Sequence, residues 1–459
     1  MGEKLLSGFQ LMKCASKEQL LDEDRISQLP NEILIYILSF LRLEDAMRTS
    51  VVSKRWIDLW TFTPSLDFDA SSDLAEIEKL DVAWRNSREH VSFLMLRHQK
   101  REKYVEWVNK VLLQSQKSLD LETFRIRFDL NQSYRDDIDK WLEHAFARKT
   151  KRLDITVGNV STKKPYAFPP SLLLATSHYG FKSLKALSFS YIRVSGRVLK
   201  FFLHNCPFLE CLAVVHSSCL KTLEVCGSSL LLKNLEIIAC RKLSSLTISD
   251  SNLVSLKTTN GNRLRLKNVP MLVQVLVAGW SPSLVVGVIS WLSCLWSQLQ
   301  VLTIRARVSE NDSKVVVPRL PKLKQFCLSA LAYKDSSLIP FTSFIRASPN
   351  LEKFTLELDW MSNTVRRRRE HKRGVNFGLE QLKEVELRGC YGRTAEVELV
   401  EYLLENAVAL RRIVVDPRSQ PFYGVASTYD NPEEQRNARK FAQHQLQNLV
   451  PSHVELVIL

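Results

Sequence analysis

A short apolar pattern recurs ten times between residues 184 and 415 of this 459-residue chain. It has the form L-x-x-L-x-L, and other aliphatic residues or phenylalanine replace some of the leucines. Apolar residues at alternate positions predict a β-strand with one buried face, so each copy predicts one short strand. Ten copies indicate a stack of repeated coils, because a single coil cannot bury its own apolar face. The apolar positions are Leu184/Leu187/Phe189, Leu209/Leu212/Val214, Leu220/Leu223/Val225, Leu232/Leu235/Ile237, Leu243/Leu246/Ile248, Leu299/Leu302/Ile304, Leu323/Phe326/Leu328, Leu351/Phe354/Leu356, Leu382/Val385/Leu387 and Leu410/Ile413/Val415.

The spacing of the copies predicts two kinds of coil. Late copies recur after 24 residues (299 to 323) and 31 residues (351 to 382), which is enough for a strand, a turn, a helix and a return. In the middle, successive copies are too close for an intervening helix, but alternate copies (209 to 232, 220 to 243) are 23 residues apart. Each middle coil should therefore carry two strands, one on each side. We expect an α/β leucine-rich-repeat solenoid with a β-rich middle section.

Apolar residues at helical spacing outside these copies predict helices. Three such helices fall around Trp141, Phe202 and Leu403. A fourth, marked by Tyr104, Val105, Val108, Val111 and Leu112, would cover the open end of the stack, where the first coil has no neighbour. The stretch VELVIL at the end of the sequence predicts a final strand.

The N-terminal stretch LPNEILIYILSFL, residues 29 to 41, predicts a helix with an unusually wide apolar face. Its apolar arc spans roughly 260°, far more than one core-facing stripe requires. Two further short helices should follow, one from Glu44 to Val51 and one in KRWIDLW after Ser53, with Trp56 in the core. Three helices of this length form only a small core. The first helix should therefore bind a partner or pack on the cap of the repeats.

The net charge is +15, most of it dispersed along the chain. The one dense basic run is RRRREHKR, residues 366 to 373. It fits a solvated loop or a nuclear-import signal. A nucleic-acid footprint is less well supported, because no aromatic residue interleaves with the arginines to stack on bases. The import candidates are Arg366, Arg367, Arg368, Arg369, Lys372 and Arg373.

The sequence favours a location in the nucleus, the cytoplasm or both. No run approaches 18 uninterrupted apolar residues, and the first residues lack the apolar core of a secretory signal. The nine cysteines form no CxxC pair, which is typical of reduced thiols. We therefore expect no membrane partner.

Enzymatic function is not supported. The sequence contains no GxGxxG, GxxxxGK[ST], HExxH or GxSxG motif. A cluster of histidines and cysteines between His204 and Cys219 could supply zinc ligands, but its spacing fits no compact zinc site and overlaps a repeat strand. We therefore expect no catalytic residues, no cofactor and no metal.

The N-terminal helices resemble an F-box. The motifs that carry this resemblance are Leu29-Pro30-x-Glu32-Ile33-Leu34, Ile37-Leu38-x-x-Leu41 and Ser50-Val51-Val52-Ser53-Lys54-Arg55-Trp56. Residues 379 to 415 are similar to the FBD domain of plant proteins, through Glu398-Leu399-Val400, Tyr402-Leu403-Leu404 and Asn406. Together with the repeats, these motifs make the chain resemble a plant F-box/FBD/LRR protein.

The fold class expected from the repeats and the resemblance is α+β. It comprises a small N-terminal three-helix F-box followed by an α/β leucine-rich-repeat solenoid with a β-rich middle. The expected segments are an N-terminal tail (1–20), the F-box (21–65), a helical linker and solenoid cap (66–118), leucine-rich repeats (119–374) and the FBD domain or terminal repeats (375–459).

The resemblance implies a substrate-recognition subunit of an SCF-type ubiquitin ligase. Its F-box would bind the adaptor subunit and, through it, the cullin and RING subunits, while the repeats bind an unknown protein substrate. The adaptor contact is carried over onto Leu29, Pro30, Ile33, Leu34, Ile37, Leu38, Leu41 and Val51. Residues alternating with the aliphatic positions of the strands are substrate candidates, because repeat proteins usually bind on this face: Thr303, Arg305, Gln325, Lys353, Thr355, Glu357, Glu384, Glu386, Arg388 and Arg412.

Two alternative functions remain open at this point. The chain could be a scaffold that binds the adaptor without delivering a substrate for ubiquitination. It could also be a basic nuclear protein that binds nucleic acid through residues 366 to 373, in which case binding would depend strongly on salt.

Overall fold

A computed structural model describes residues 26, 28–84, 90–115, 120–175, 180–228, 230–259, 261–279, 284–307, 316–332, 338–360, 378–391, 393–418 and 432–459. The described residues form two compact units. The first contains the residues up to Ile155 together with those of Ser171–Gly180, and the second contains Thr156–Pro170 and Phe181–Leu459.

The first unit combines helices with parallel strands. Its helices are α1 Asn31–Leu38, α2 Leu43–Arg48, α3 Ser71–Trp84, α4 His90–Gln114, α5 Arg135–Ala147 and α6 Ser171–Ala175. Its strands lie side by side in the order β1 Ser65–Asp69, β2 Thr123–Phe128 and β3 Arg152–Val157. Alternate residues of each strand are buried, as the apolar alternation requires.

The helix predicted around Tyr104 is present as α4, which packs on β1 and β2. Tyr104 stacks on Phe128 with ring centroids 4.3 Å apart, and its hydroxyl donates to the Phe68 carbonyl over 2.6 Å. The α4 side chain of Arg97 donates to the fully buried Asp129 carboxylate at 2.5 and 2.9 Å, and Arg101 donates to the same carboxylate at 2.8 Å. The helix is therefore held by both apolar and ionic contacts.

The second unit contains the repeats. Its helices are α7 Gly196–Asn205, α8 Leu284–Trp291, α9 Thr342–Arg346, α10 Thr394–Asn406 and α11 Pro432–Leu446. Its strands are β4 Ala186–Ser190, β5 Cys211–Val215, β6 Thr222–Cys226, β7 Asn234–Ile238, β8 Ser245–Ser249, β9 Ser255–Thr259, β10 Leu264–Lys267, β11 Gln274–Gly279, β12 Val301–Arg307, β13 Gln325–Ala332, β14 Lys353–Trp360, β15 Glu384–Arg388, β16 Arg412–Asp416 and β17 Glu455–Ile458.

These strands form two parallel sheets, which we call the large sheet and the small sheet. Within the second unit, the large sheet runs in the order β4, β5, β7, β9 and then β11 to β17, and the small sheet consists of β6, β8 and β10. Cys211 on β5 pairs with Asn234 on β7, and Thr222 on β6 pairs with Ser245 on β8. Both pairs are 23 residues apart. The two-stranded middle coils and the expected fold class are therefore confirmed.

Several local features differ from the expectations. The third N-terminal helix is formed by two short 3-10 segments, Lys54–Trp56 and Leu59–Phe62. The segment after it is not wholly helical, because it begins with β1. Strands β9, β10 and β11 were not among the ten repeat copies.

Among the described residues, no helix is long and apolar enough to cross a membrane.

Candidate functional site

Helix α1 divides its apolar side chains between the core and the surface. Leu34 and Leu38 are 0% and 1% exposed, whereas Ile33 and Ile37 are 45% and 38% exposed. Because residues four apart lie on the same face of a helix, the leucines form one row and the isoleucines another. The wide apolar arc in the sequence therefore consists of two faces in different environments.

The leucine row belongs to the small core of the N-terminal helices. Helix α1 contacts the 3-10 segment Leu59–Phe62, whose Trp60 is buried. Trp56 is buried as well, as predicted, and Leu43 and Ala46 of α2 are inaccessible. Leu34 and Leu38 are therefore needed to hold these short segments together.

Eight large apolar side chains between residues 33 and 57 are exposed. We call them the apolar surface: Ile33, Tyr36, Ile37, Phe40, Leu41, Val51, Val52 and Ile57. Val51 is 89% exposed, and the rings of Tyr36 and Phe40 meet edge to face with centroids 4.8 Å apart. So many exposed apolar side chains in so short a segment indicate a site for binding another protein.

Arg55 fixes the chain at the start of α1. Its Nε and one terminal nitrogen donate to Asn31 Oδ1 at 3.1 and 2.9 Å, and the same terminal nitrogen donates to the Leu29 carbonyl at 2.5 Å. The Leu29–Pro30 turn is thereby tied to the 3-10 segment that carries Arg55. This tie keeps the turn next to the apolar surface.

The structure divides the eight residues predicted to contact the adaptor. Leu34 and Leu38 are buried within the protein itself and offer no surface. Leu29 is half-buried, and the remaining five are exposed: Pro30, Ile33, Ile37, Leu41 and Val51. Tyr36, Phe40, Val52 and Ile57 share this exposure but were not among the predicted residues. Tyr36 and Phe40 lie within the apolar run, so their spacing of four residues was the signal that could have identified them.

The substrate candidates lie on one face of the large sheet, in three rows that follow the strand register. One row joins Gln325, Lys353, Glu384 and Arg412. A second joins Thr303, Cys327, Thr355 and Glu386, and a third joins Arg305, Ser329, Glu357 and Arg388. The sheet therefore brings together residues that are far apart in the sequence.

Much of the charge on this face is compensated internally. Lys353 Nζ lies 2.8 Å from Glu384 and 3.1 Å from Glu386, and Arg388 lies 2.7 Å from Glu386 and 3.0 Å from Glu357. Burial alone would raise the pKa of Glu386, but hydrogen bonds from Arg388 and Lys353 hold that pKa below its ordinary value. Glu386 is therefore an ionised partner within the sheet.

The accessible part of the face is smaller than the full set of substrate candidates. Thr355 and Glu357 are buried, whereas Gln325 and Arg412 are exposed. The Arg412 guanidinium lies 3.4 Å from Glu455 of β17. Arg305 lies 3.9 Å from Glu357, at the limit of an ion pair. A ligand on this face would therefore contact mainly Gln325, Arg412 and the edges of the ion-pair network.

Cys327 lies in the middle of this network and was not predicted. Burial and the nearby Glu357 carboxylate raise the pKa of its thiol to about 12. Its neighbours across the strands are Thr303 and Thr355. It is a packed thiol rather than a reactive one, because the thiolate is the reactive form.

Among the described residues, no group of three or more histidines, cysteines, aspartates or glutamates is placed to hold a metal ion. His204 Nδ1 contacts the Lys200 carbonyl at 2.8 Å, and Cys206 is buried. The arginine run at residues 366 to 373 lies outside the described residues.

Comparison with protein families matches both parts of the chain. Residues 26–66 match the F-box domain, and residues 175–459 match the LRR domain described as At1g61320/AtMIF1. The fold and the apolar surface thus define a repeat protein that carries an F-box at its N-terminal end. The chain belongs to the plant F-box/FBD/LRR-repeat family.

Relatives in Arabidopsis thaliana have names that include the same domains. The chain is 30% identical to F-box/FBD/LRR-repeat protein At4g00160 over 213 residues, which are 43% of this chain and 42% of the relative. It is 26% identical to the putative F-box/LRR-repeat protein At5g02700 over 42% of this chain and 38% of the relative. These matches span less than half of either relative. A match to the putative FBD-associated F-box protein At5g22720 is 22% identical and covers 88% of this chain and 90% of that protein.

Proposed function

We propose that this protein is a substrate-recognition subunit of an SCF-type ubiquitin ligase. The observation that carries the proposal is the apolar surface of the F-box, where eight large apolar side chains are exposed beside a core that does not need them. An adaptor subunit would cover this surface and link the chain to the cullin and RING subunits. The protein itself would perform no chemistry.

Burial of the apolar surface would contribute favourable free energy to docking. Fully burying an aliphatic or aromatic side chain contributes about 1.5–3 kcal/mol, so each half-exposed side chain such as Ile33 or Ile37 would add about 1 kcal/mol. Val51, almost fully exposed, would add more. The gross gain from the eight side chains is therefore about 8 kcal/mol or more, from which the cost of association must be subtracted.

The repeats would act by holding a protein substrate. Binding on the polar face of the large sheet would raise the effective concentration of a substrate lysine near the ubiquitin-loaded enzyme, which accelerates transfer without a catalytic group. Gln325 and Arg412 are the predicted substrate residues most accessible for this purpose. We propose that the protein acts in the nucleus, the cytoplasm or both.

Adaptor binding can be tested by co-purification of the full chain with an adaptor subunit. The variant Leu29→Ser/Pro30→Ser/Ile33→Ser should lose the adaptor, because it removes accessible apolar contacts at the start of α1. A matched control is Leu113→Ser on α4, which removes another exposed apolar side chain of the same unit. Undiminished adaptor binding by the triple variant would overturn the assignment, provided that circular dichroism shows both variants to be folded.

A scaffold that binds the adaptor without delivering a substrate has the same apolar surface. The two functions differ in their consequences for bound proteins. A substrate receptor shortens the half-life of the proteins that it holds, in a cullin-dependent manner, whereas a scaffold leaves that half-life unchanged.

A further inference from the structure

The small sheet presents a second ordered face that the proposed function does not use. Its inward residues, such as Val225 and Ile248, are fully buried. The outward positions are polar on all three strands. They are Thr222, Glu224 and Cys226 on β6, Ser245, Thr247 and Ser249 on β8, and Arg265 and Lys267 on β10.

This face and the turns leading into it carry an excess of positive charge. Six cations contribute: Lys221, Arg241, Lys242, Arg263, Arg265 and Lys267. The carboxylates nearby are Glu224 on β6 and Asp250 at the end of β8, and Asp250 accepts a hydrogen bond from Asn268 at 2.8 Å. Within the part of the chain that the structure describes, none of the six cations forms an ion pair.

The opposite side of the same coils is different. On the large sheet, Lys233 lies 3.1 Å from Glu210, and Lys257 lies 3.1 Å from Glu236. The coils therefore pair their lysines on one side and leave them unpaired on the other. Neighbouring strands are about 4.8 Å apart, so cations in adjacent coils lie within the Debye length of about 8 Å at physiological salt and act together on an approaching anion.

We propose that the outward face of the small sheet, with the turns leading into it, is a docking surface for an acidic, extended segment of a partner protein. A five-residue strand is about 17 Å long, which matches five or six residues of an extended chain. In the row of hydroxyls on β8, Ser249 donates to Cys226 Sγ at 2.9 Å, whereas Ser245 and Thr247 can donate hydrogen bonds to carboxylates or phosphates beside the basic side chains of β10. This surface is independent of adaptor binding.

A protein segment fits this face better than a nucleic acid does. The outward positions of the three strands include no aromatic side chain, so the face offers no platform on which bases could stack. An extended acidic chain needs only the charges and the hydroxyl row that are present.

The test is fluorescence anisotropy with the full chain and a labelled peptide in which Glu and Ser alternate. A peptide with phosphoserine at the serine positions separates phosphate from carboxylate recognition, and a peptide of alternating Lys and Ser measures non-specific binding. The variant Arg265→Gln/Lys267→Gln should weaken binding of the acidic peptide about fivefold. Glu224→Gln should tighten it about twofold, because it removes a repelling carboxylate from the face.

The matched control is Lys233→Gln/Lys257→Gln, which removes the same charge from the opposite side of the same coils and should leave binding nearly unchanged. Equal weakening by both double variants would overturn the proposal, because binding would then follow net charge alone. Tighter binding of duplex DNA than of either acidic peptide, lost in Arg265→Gln/Lys267→Gln, would contradict the assignment to a protein segment. Loss of adaptor binding in Leu29→Ser/Pro30→Ser/Ile33→Ser has no bearing on these outcomes.

Discussion

Two adjacent residues of α1, Ile33 and Leu34, should respond differently to mutation, because one is exposed and the other is buried. Leu34 is completely buried, so Leu34→Ala removes core contacts and should destabilise the F-box by about 2–5 kcal/mol. A segment with so small a core has little stability to lose. We therefore expect Leu34→Ala to unfold the F-box in a large fraction of molecules and to weaken adaptor binding indirectly.

Ile33→Ala should instead affect binding with little effect on folding. Nearly half of the Ile33 side chain is exposed, so truncation should cost the fold only about 1 kcal/mol. If the adaptor covers the exposed part, the complex loses a further ~1 kcal/mol or slightly more of binding free energy. The dissociation constant should then be about fivefold to tenfold larger.

Both variants can be assayed by two measurements on the full chain. Hydrogen exchange detected by mass spectrometry reports the protection of residues 31 to 62, and calorimetric titration with purified adaptor reports the dissociation constant. Leu34→Ala should lose protection, and Ile33→Ala should keep it while binding more weakly. Retained protection in Leu34→Ala, or unchanged affinity in Ile33→Ala, would refute the division of α1 into a core face and a binding face.

Three further predictions concern the rest of the chain. Asp129→Asn should cost about 3–5 kcal/mol in denaturant unfolding, because it removes the charge of the buried carboxylate that Arg97 and Arg101 of α4 share, whereas Glu122→Gln in a surface ion pair should cost less than about 1 kcal/mol. Iodoacetamide at pH 8 should modify the exposed Cys226 well before the buried Cys240, because burial raises the pKa of the Cys240 thiol to about 11. Equal modification rates, measured by mass spectrometry, would contradict this packing. Gly196→Ala should destabilise the second unit by about 1–3 kcal/mol in thermal unfolding, because its new Cβ would lie 2.2 Å from the Thr222 carbonyl oxygen, and an unchanged melting temperature would contradict that close approach.

The repeat strands could be predicted from the sequence because their buried positions alternate strictly. All ten L-x-x-L-x-L copies coincide with strands, and the 23-residue spacing identified the small sheet. Strands β9 and β11 were missed although their sequences vary the same pattern. In β9 the inward positions are Leu256 and Thr258, and the threonine interrupts the apolar signal. In β11 the corresponding positions are Val275 and Val277.

The candidate sites were only partly predictable, since each depends on what packs beside it. Which residues of α1 face inward depends on where Trp56 and Trp60 lie, and the sequence predicted one helix in KRWIDLW where the structure has two 3-10 segments. The ion pairs of Lys353 and Arg388 require the register between strands. The positive charge seemed dispersed in the sequence, yet consecutive coils bring part of it together on the small sheet.

The proposed function requires that the protein deliver bound proteins for ubiquitination through its F-box. The most direct measurement is the half-life of proteins identified by proximity labelling, compared between cells that express the full chain and cells that express Ile33→Ser/Val51→Ser, with and without cullin inhibition. We expect some labelled proteins to turn over faster with the full chain, and this difference to disappear with the variant and with the inhibitor. Half-lives that are the same under all of these conditions would contradict the account.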